Sequence, residues 1–313
     1  MTKKKPTYRV RNWSKYNKSL VKRGSLTVWV SPDVLAAWTR VPPSGKRGHP
    51  QTYGDVAIEC MATLRAVYHL AQRATQGMLA SIFELMSVAL PVPSYSTLSR
   101  RQQTLEIQWP KRKPGAGMHL VVDSTGVKVF GEGEWKVRQH GYTKRRTWKK
   151  LHVGVDEATG EIQAMSVTDN SVADHEELPG LLNQIDDPVK QVSADGAYDK
   201  RKAYDAIGDR QAKATIPPRR GARIWQHGNS KQERLIRDEN LRAIRKHGRK
   251  AWKHSSGYHR RSLAETTMSR FKRILGPSIS ARTFASQTTE IKVRCKILNT
   301  MTQLGTPDSY LAA

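Results

Sequence analysis

Cysteine is scarce in this sequence, and long apolar runs are missing. The 313 residues include two cysteines, Cys60 and Cys295. Two are too few for a disulfide framework, and these two lack the spacing of metal ligands. No run reaches the roughly 18 apolar residues of a membrane span, and the basic N-terminus lacks the apolar centre of a secretion signal. The sequence therefore predicts a cytoplasmic protein without a membrane partner.

Acidic residues are also few relative to basic ones. Lys and Arg total 54 against 27 Asp and Glu, which gives a formal net charge of +27. Such an excess destabilises a compact fold through self-repulsion unless a polyanion is the working partner. Nucleic acid is the leading candidate, because neutralising phosphates releases counterions and supplies affinity without a sequence code. Charge alone leaves a ribosomal or chromatin-like binding protein equally open.

The basic charge is concentrated near the N-terminus. Residues 1–50 carry twelve Lys or Arg and a single acid, Asp33, together with three tryptophans. We interpret them as a basic N-terminal arm that orders on a DNA duplex, with a solvated basic leader as the alternative. Residues 42–48, rich in Pro and Gly, are typical of a flexible linker.

Residues 51–110 have the periodicity of a small helical domain. Three helices are expected, over residues 52–72, 75–86 and 95–105. The third places Arg100 opposite its apolar face and Arg101 at the margin of that face. A helix, a short turn and a basic helix resemble a helix-turn-helix, so Arg100 and Arg101 are candidates for DNA contact. A plain helical bundle would give the same pattern.

Residues 115–305 change to a strand-rich α/β pattern. Apolar runs at 118–122 and 127–130 lead into a hairpin of 151–155 and 162–167, and further strands are expected at 191–194 and 213–216. Helices are expected over 174–185, 199–207, 257–275 and 283–304, with a basic insertion at 217–257. This order fits an RNase H-like mixed five-stranded sheet with flanking helices and an insertion before the glutamate helix. Periodicity alone also fits other mixed folds.

Two aspartates follow apolar strands in this region. Asp123 ends one run and Asp195 ends another, just before Gly196. An Asp after a strand is most often a turn residue when taken singly. Together with Glu265, however, the two would make an all-oxygen cluster suited to Mg²⁺ or Mn²⁺. Two such ions, about 3.5–4 Å apart, provide what in-line phosphodiester cleavage requires.

The helix expected from residue 258 displays its acid beside cationic groups. At about 100° per residue, Tyr258, Arg261, Glu265 and Lys272 fall within an arc of about 60°. Arg261 and Lys272 could hold phosphate oxygens beside the metals, and Tyr258 could stack on a base. A simple (i, i+4) salt bridge would explain why Arg261 and Glu265 are neighbours. It would not explain why Tyr258 and Lys272 lie on the same face of the helix.

These residues carry a family resemblance. The signature Y-x2-R-x3-E-x6-K is met in full by Tyr258, Arg261, Glu265 and Lys272. The segments 121–126 and 194–199, around Asp123 and Asp195, resemble those that bear the first and second aspartates of the same family. Over residues 115–305 the sequence resembles a DDE transposase of bacterial insertion sequences, most similar to insertion-sequence family five.

The resemblance implies a reaction and partners. It implies Asp123, Asp195 and Glu265 as catalytic metal ligands for two Mg²⁺ ions, with Mn²⁺ as a substitute. It further implies binding to terminal inverted repeats, hydrolytic cleavage of the element's ends, and transfer of the 3′-hydroxyl into target DNA by a homodimer or larger assembly in the nucleoid. A silent or co-opted DNA-binding protein, or an RNase H-like nuclease or resolvase, are the alternatives.

Overall fold

The computed structural model describes residues 8–41, 50–109, 117–129, 148–226 and 234–312. Tertiary contacts divide the chain into two compact units, of which the first joins Met1–Ile107 to Val293–Ala313 and the second is Gln108–Lys292. Residues 293–305 therefore belong to the first unit, although the strand-rich pattern was expected to run to residue 305. The linker expected at 42–48 lies outside the described residues.

The elements follow one another in this order. The helices are α1 (Trp13–Arg23), α2 (Leu26–Trp29), α3 (Pro32–Ala36), α4 (Asp55–Val67), α5 (Gln72–Leu85), α6 (Tyr95–Arg101), α7 (Asp174–Leu182), α8 (Arg201–Asp209), α9 (Ile236–His247), α10 (Arg249–Ser255), α11 (Ser262–Leu275) and α12 (Phe284–Leu304). The strands are β1 (Tyr8–Val10), β2 (Met118–Val129), β3 (Trp148–Asp156), β4 (Ile162–Asp169), β5 (Val189–Ser193), β6 (Lys213–Thr215), β7 (Ser278–Ile279) and β8 (Ser309–Leu311). No helix within the described ranges is both long and apolar enough to cross a bilayer.

Two of the three N-terminal tryptophans, Trp29 and Trp38, are core residues, whereas Trp13 is exposed. Trp38 is fully buried, packs edge-on against Phe83 with ring centroids 5.0 Å apart, and donates from Nε1 to the Pro91 carbonyl at 2.8 Å. Trp29 is buried as well. Burial of large aromatic rings is a major source of packing energy. Within residues 1–50, interpreted from sequence as an arm that orders on DNA, the structure contains the helices α1, α2 and α3.

The three helices expected between residues 51 and 110 are present as α4, α5 and α6; α4 and α6 are shorter than predicted, whereas α5 begins three residues earlier. Ser94 caps α6 by accepting a hydrogen bond from the Thr97 backbone N–H at 3.2 Å. Leu98 on α6 is fully buried, whereas Arg100 is exposed, as the helical pattern predicted. Helix α12 and strand β8 complete this unit from the C-terminal side, since β8 pairs antiparallel with β1.

The second unit contains a mixed sheet. Its strand order is β4-β3-β2-β5-β6 along the main path, and β7 adds a short pairing with the end of β2. Strands β2, β3 and β4 are antiparallel, whereas β5, β6 and β7 run parallel to their neighbours. The predicted mixed sheet and the β3–β4 hairpin are present, but the sheet has six strands, because the short β7, which was not predicted, joins the five expected.

One strand differs from its prediction in a way that bears on function. The two apolar runs around Asp123 join into the single strand β2, because Ser124, Thr125 and Gly126 continue the antiparallel ladder opposite His152, Leu151 and Lys150. Asp123 therefore lies inside a strand and does not end one. The turn signal in the sequence Asp-Ser-Thr-Gly was overridden by pairing with β3.

The two faces of the sheet carry different helices. On β2, Leu120 and Val122 pack into a core with Leu178 and Leu181 of α7 and with Tyr198. Side chains alternate across a strand. Asp123 consequently points to the opposite face, against which α11 packs.

Candidate acidic site

The structure brings the three predicted acids together from three different elements. Asp123 comes from the middle of β2, Asp195 follows β5, and Glu265 lies in the first turn of α11. Burial raises the pKa of the Asp123 carboxyl, and the negative charges of Asp195 and Glu265 raise it further. The Ser124 backbone N–H and Arg261 oppose that rise. The acids are therefore close enough to interact electrostatically.

Asp123 lies within a strand, and its side chain is 18% exposed. The pairing of β2 with β5 ends at Val121 and Ser193. Beyond Val121, β2 continues without β5 beside it until β7 pairs at Lys128 and Val129. Asp123 lies in this gap between the two pairings of β2, and the strand backbone fixes where its side chain begins.

Asp195 caps a local turn, and it also follows a strand, as the sequence predicted. It accepts a hydrogen bond from the Ala197 backbone N–H at 2.8 Å and so caps the short 3-10 helix Gly196–Tyr198. That contact uses one carboxylate oxygen, Oδ1. The local turn fixes the direction of the side chain, and the other oxygen remains to serve a ligand.

Arg261 lies between two of the acids. Its Nη1 donates to Asp123 Oδ2 at 3.2 Å, and its Nη2 forms a salt bridge with Glu265 Oε1. Burial by itself would lower the pKa of the guanidinium, but Tyr258 and the three carboxylates raise it. The central guanidinium carbon of Arg261 also lies 5.9 Å from the centroid of the Tyr258 ring. Arg261 is thus a charged bridge across the acidic cluster.

Only part of the signature from Tyr258 to Lys272 lies on an α-helix. Residues Tyr258–Arg261 form a 3-10 helix, and the α-helix begins at Ser262. Tyr258 packs against buried Trp252, with ring centroids 5.8 Å apart. Lys272 lies about two turns beyond Glu265 on α11. The structure therefore gathers Tyr258, Arg261 and Glu265 and leaves Lys272 farther along the helix.

The acids match a divalent cation in donor chemistry. All three offer carboxylate oxygens, the donors that Mg²⁺ and Mn²⁺ prefer. Among the described residues, however, no three Asp, Glu, His or Cys side chains are arranged ready to hold a metal ion. Arg261 already pairs with Asp123 and Glu265. A cation that bound these acids would have to displace the guanidinium from them.

The sequence interpretation assigned no role to a second polar cluster, on the other face of the sheet. Lys150 Nζ lies 2.9 Å from Asp174 Oδ1, and buried His152 hydrogen-bonds the Thr168 hydroxyl at 2.9 Å. The signal was available in β3, where Lys150 and His152 alternate with the apolar residues of that strand. Polar residues at core-facing positions indicate a function or a buried network.

The two candidate DNA-contacting arginines of α6 differ in their surroundings. Arg101 donates from Nη1 to the Tyr53 carbonyl at 2.9 Å and forms a salt bridge with Asp55, and its side chain is 16% exposed. Arg100 is exposed. Arg101 thus joins α6 to the start of α4, whereas Arg100 is available to a partner.

Comparisons with known proteins relate this chain to one family. Two family models, each described as "Transposase DDE domain", match residues 21–132 and residues 114–300. The fold is similar to that in the cryo-EM structure of the piggyBac transposase synaptic complex with hairpin DNA, with a TM-score of 0.41 and 9% sequence identity. That likeness covers 90% of this chain and 73% of the other.

Proposed function

The chain belongs to the DDE transposase family, and from that membership we propose that it binds the terminal inverted repeats of an insertion sequence, cleaves DNA at those ends by metal-dependent hydrolysis, and transfers the 3′-hydroxyls into target DNA. The observation that supports this proposal is the cluster of Asp123, Asp195 and Glu265 bridged by Arg261. Family membership also implies a divalent metal, for which Mg²⁺ is proposed, with Mn²⁺ as substitute.

The proposed roles follow from the chemistry of the side chains. Asp123, Asp195 and Glu265 would hold the metal, as two ions. Bound metal activates a water and stabilises the leaving oxygen of a phosphodiester. Arg261, released from its carboxylates, would pair with a non-bridging phosphate oxygen, for which the planar guanidinium is well suited. Lys272 would contact the DNA backbone and Tyr258 a base or sugar.

We also propose that the second unit is RNase H-like and that α4–α6 form a DNA-reading domain of helix-turn-helix type within residues 51–110. The antiparallel β2-β3-β4 arrangement followed by parallel β5 and β6 supports the first proposal. The exposed position of Arg100 on a short capped helix supports the second. Because two ends must be paired, a homodimer or larger assembly on double-stranded DNA is expected.

The experiment is a cleavage assay on labelled DNA that carries the ends flanking the coding region, in Mg²⁺ or Mn²⁺. Asp123→Asn, Asp195→Asn and Glu265→Gln should each abolish cleavage while end binding persists. Asp169→Asn, a change at an exposed acid paired with Lys149, is the matched control and should cut normally. Undiminished cutting by Asp123→Asn would reject the site. Faster cleavage of RNA–DNA hybrids or junctions would favour a nuclease or resolvase.

A further inference from the structure

One arginine of the basic insertion lies beside the turn that follows Asp195. Arg219 Nε donates to the Gly196 carbonyl at 3.3 Å, and Gly196 is the residue next to Asp195. The Arg219 backbone N–H also donates, to Asp199 Oδ2 at 2.9 Å. Two hydrogen bonds thus fasten Arg219 to the two ends of the segment 196–199, which directly follows the second acid of the proposed site.

The chain that leads into Arg219 is held from several sides. Pro217 and Pro218 are buried, and Arg249 Nη2 donates to the Pro218 carbonyl at 2.7 Å. A β-carbon at Gly196 would lie 3.4 Å from the Pro217 carbonyl oxygen, so the two segments are in close contact. Proline also fixes one of its own backbone angles. The backbone of Arg219 is therefore set in place before any ligand arrives.

The charged end of Arg219 has no acidic partner among the described residues. The carboxylate of buried Asp199 bonds the Arg237 side chain through both oxygens, and from Arg219 it accepts only the backbone N–H. Arg219 is exposed, and within the ranges that the structure describes its side chain donates only from Nε. Nη1 and Nη2 are left for the forked pair that a guanidinium makes with a carboxylate or a phosphate.

We propose that Arg219 is a DNA-binding residue of the acidic site: its two Nη groups hold a backbone phosphate close to the phosphodiester that the acids act on. This inference rests on the proposed function, since it assumes that Asp195 serves at the point of cleavage. A DNA phosphate offers the oxygens that this guanidinium needs, and such contacts fix the register of a protein on the duplex. Arg261 pairs with Asp123 and Glu265. Arg219 lies beside the third acid and holds a different part of the strand.

The test compares Arg219→Gln with the parent protein. Glutamine places an amide N–H where arginine has Nε, so the variant keeps a donor for the Gly196 carbonyl and loses the charge and both Nη groups. Fluorescence anisotropy without divalent cation measures binding of the full chain to end DNAs that each carry one neutral methylphosphonate near the cleaved bond. At one position, the neutral group should weaken binding by the parent about tenfold, the loss of a charge-assisted hydrogen bond. The same group should leave binding by Arg219→Gln unchanged, because both changes remove one contact.

Arg220→Gln is the matched control. Arg220 is the exposed neighbour of Arg219, and its side chain has no hydrogen bond or ion pair in the part of the chain that the structure describes. This variant removes the same charge, and it should stay sensitive at the position where Arg219→Gln is not. Calorimetry of Mn²⁺ binding to DNA-free protein tests for a purely structural role. Arg219→Gln should bind Mn²⁺ no more weakly than the parent, since it keeps all three acids and loses a nearby positive charge.

The possible results separate this inference from the proposed function. If Arg219→Gln stays sensitive at every position to which the parent is sensitive, the inference is overturned. Weaker Mn²⁺ binding by Arg219→Gln would also overturn it, because the arginine would then support the turn after Asp195. The same insensitive position in Arg220→Gln would assign the effect to the overall charge of the insertion and so reject an anchored contact. The proposed function fails by a different result, undiminished cutting of end DNA by Asp123→Asn.

Discussion

Arg237 Nε donates to Asp199 Oδ1 at 2.7 Å, across 38 residues of sequence, and both side chains are almost completely buried. Arg237 also pairs with Asp238, and its guanidinium lies 3.8 Å from the centroid of the Trp225 ring. Asp199 is four residues beyond Asp195. The basic insertion is thus fastened to the segment that carries the second acid of the proposed site.

Removing Arg237 should destabilise the second unit strongly. Arg237→Ala leaves Asp199 and Asp238 as buried charges without their partner, which typically costs about 3–5 kcal/mol. Urea unfolding followed by a fluorescence or circular dichroism signal measures the change. The matched control is Arg242→Ala, which breaks the half-exposed Arg242–Glu239 pair and should cost at most about 1 kcal/mol. Equal effects of the two variants would contradict the anchoring role.

Arg261 should compete with divalent cations. Arg261→Ala frees the carboxylates of Asp123 and Glu265 from a charged hydrogen-bond partner, and such a bond is worth about 1.5–3 kcal/mol. Mn²⁺ binding to DNA-free protein should therefore tighten by about tenfold, while cleavage of end DNA falls. Calorimetry and a cleavage assay measure the two effects. Weaker Mn²⁺ binding in the variant would show that Arg261 supports the acids and does not oppose the cation.

Of the two arginines of α6, Arg101 should contribute to stability and Arg100 to DNA recognition. Arg101→Ala removes the contacts to Tyr53 and Asp55 and should lower the melting temperature of the first unit. Arg100→Ala should leave stability unchanged and weaken binding to end DNA by about 1–3 kcal/mol if the side chain reads a base. Competition assays with end and random DNA give both affinities. Equal losses of affinity for end and random DNA would indicate that Arg100 contacts the DNA backbone and does not read a base.

Lys272 should account for about one phosphate contact. Lys272→Ala should reduce the slope of log affinity against log salt by about 0.9, the value expected for one released contact on duplex DNA. Fluorescence anisotropy at a series of salt concentrations measures the slope. Arg273→Ala changes the exposed neighbouring cation on α11 and is the control. The proposed phosphate contact is rejected if both variants keep the parent slope.

Acidification should destabilise the protein partly through His152. Burial lowers the pKa of His152, although Asp174 opposes that effect. The unfolded state therefore takes up a proton below about pH 6.5, before the folded state does, and stability falls as the pH drops from 6.5 through the folded pKa. His152→Gln should flatten this dependence between about pH 7 and 5.5. Some slope should remain, because burial also lowers the pKa of His119.

The control for this pH dependence is His247→Gln, which alters an exposed histidine. Its stability curve should parallel that of the parent protein over the same pH range. Unfolding in denaturant at each pH gives the comparison. A parent-like slope in His152→Gln would show that the buried imidazole does not contribute.

Much of the second unit could be predicted from sequence because its signals are local. The apolar runs 151–155 and 162–167 predicted a hairpin that the structure confirms, and the spacing of Tyr258, Arg261 and Glu265 predicted a shared face. The strand-end position of Asp123 was wrong, because only the long-range pairing of β2 with β3 decides where that strand stops. Its exposure comes from the early end of β5, which no local pattern reports.

The remaining differences also arise from contacts between distant residues. Arg237 and Asp238 of the basic insertion are buried, because Arg237 pairs both with Asp199, 38 positions away, and with Asp238. Trp38 gave no periodic signal, but it packs against Phe83 and is fully buried. Charge and aromatic content in a sequence indicate which ligands a protein binds. Whether a given side chain is buried depends on which distant residues pack against it in the fold.

Helix α12 has a practical consequence for dissecting this protein. Its Ile297, Leu298 and Met301 are buried in the unit that also contains α4, and Lys296 forms a salt bridge with Glu59. A polypeptide cut after residue 107 would lose these side chains and expose the apolar surface they cover, which favours aggregation. An excised first unit should therefore retain residues 293–312, rejoined through a short linker or supplied as a second fragment.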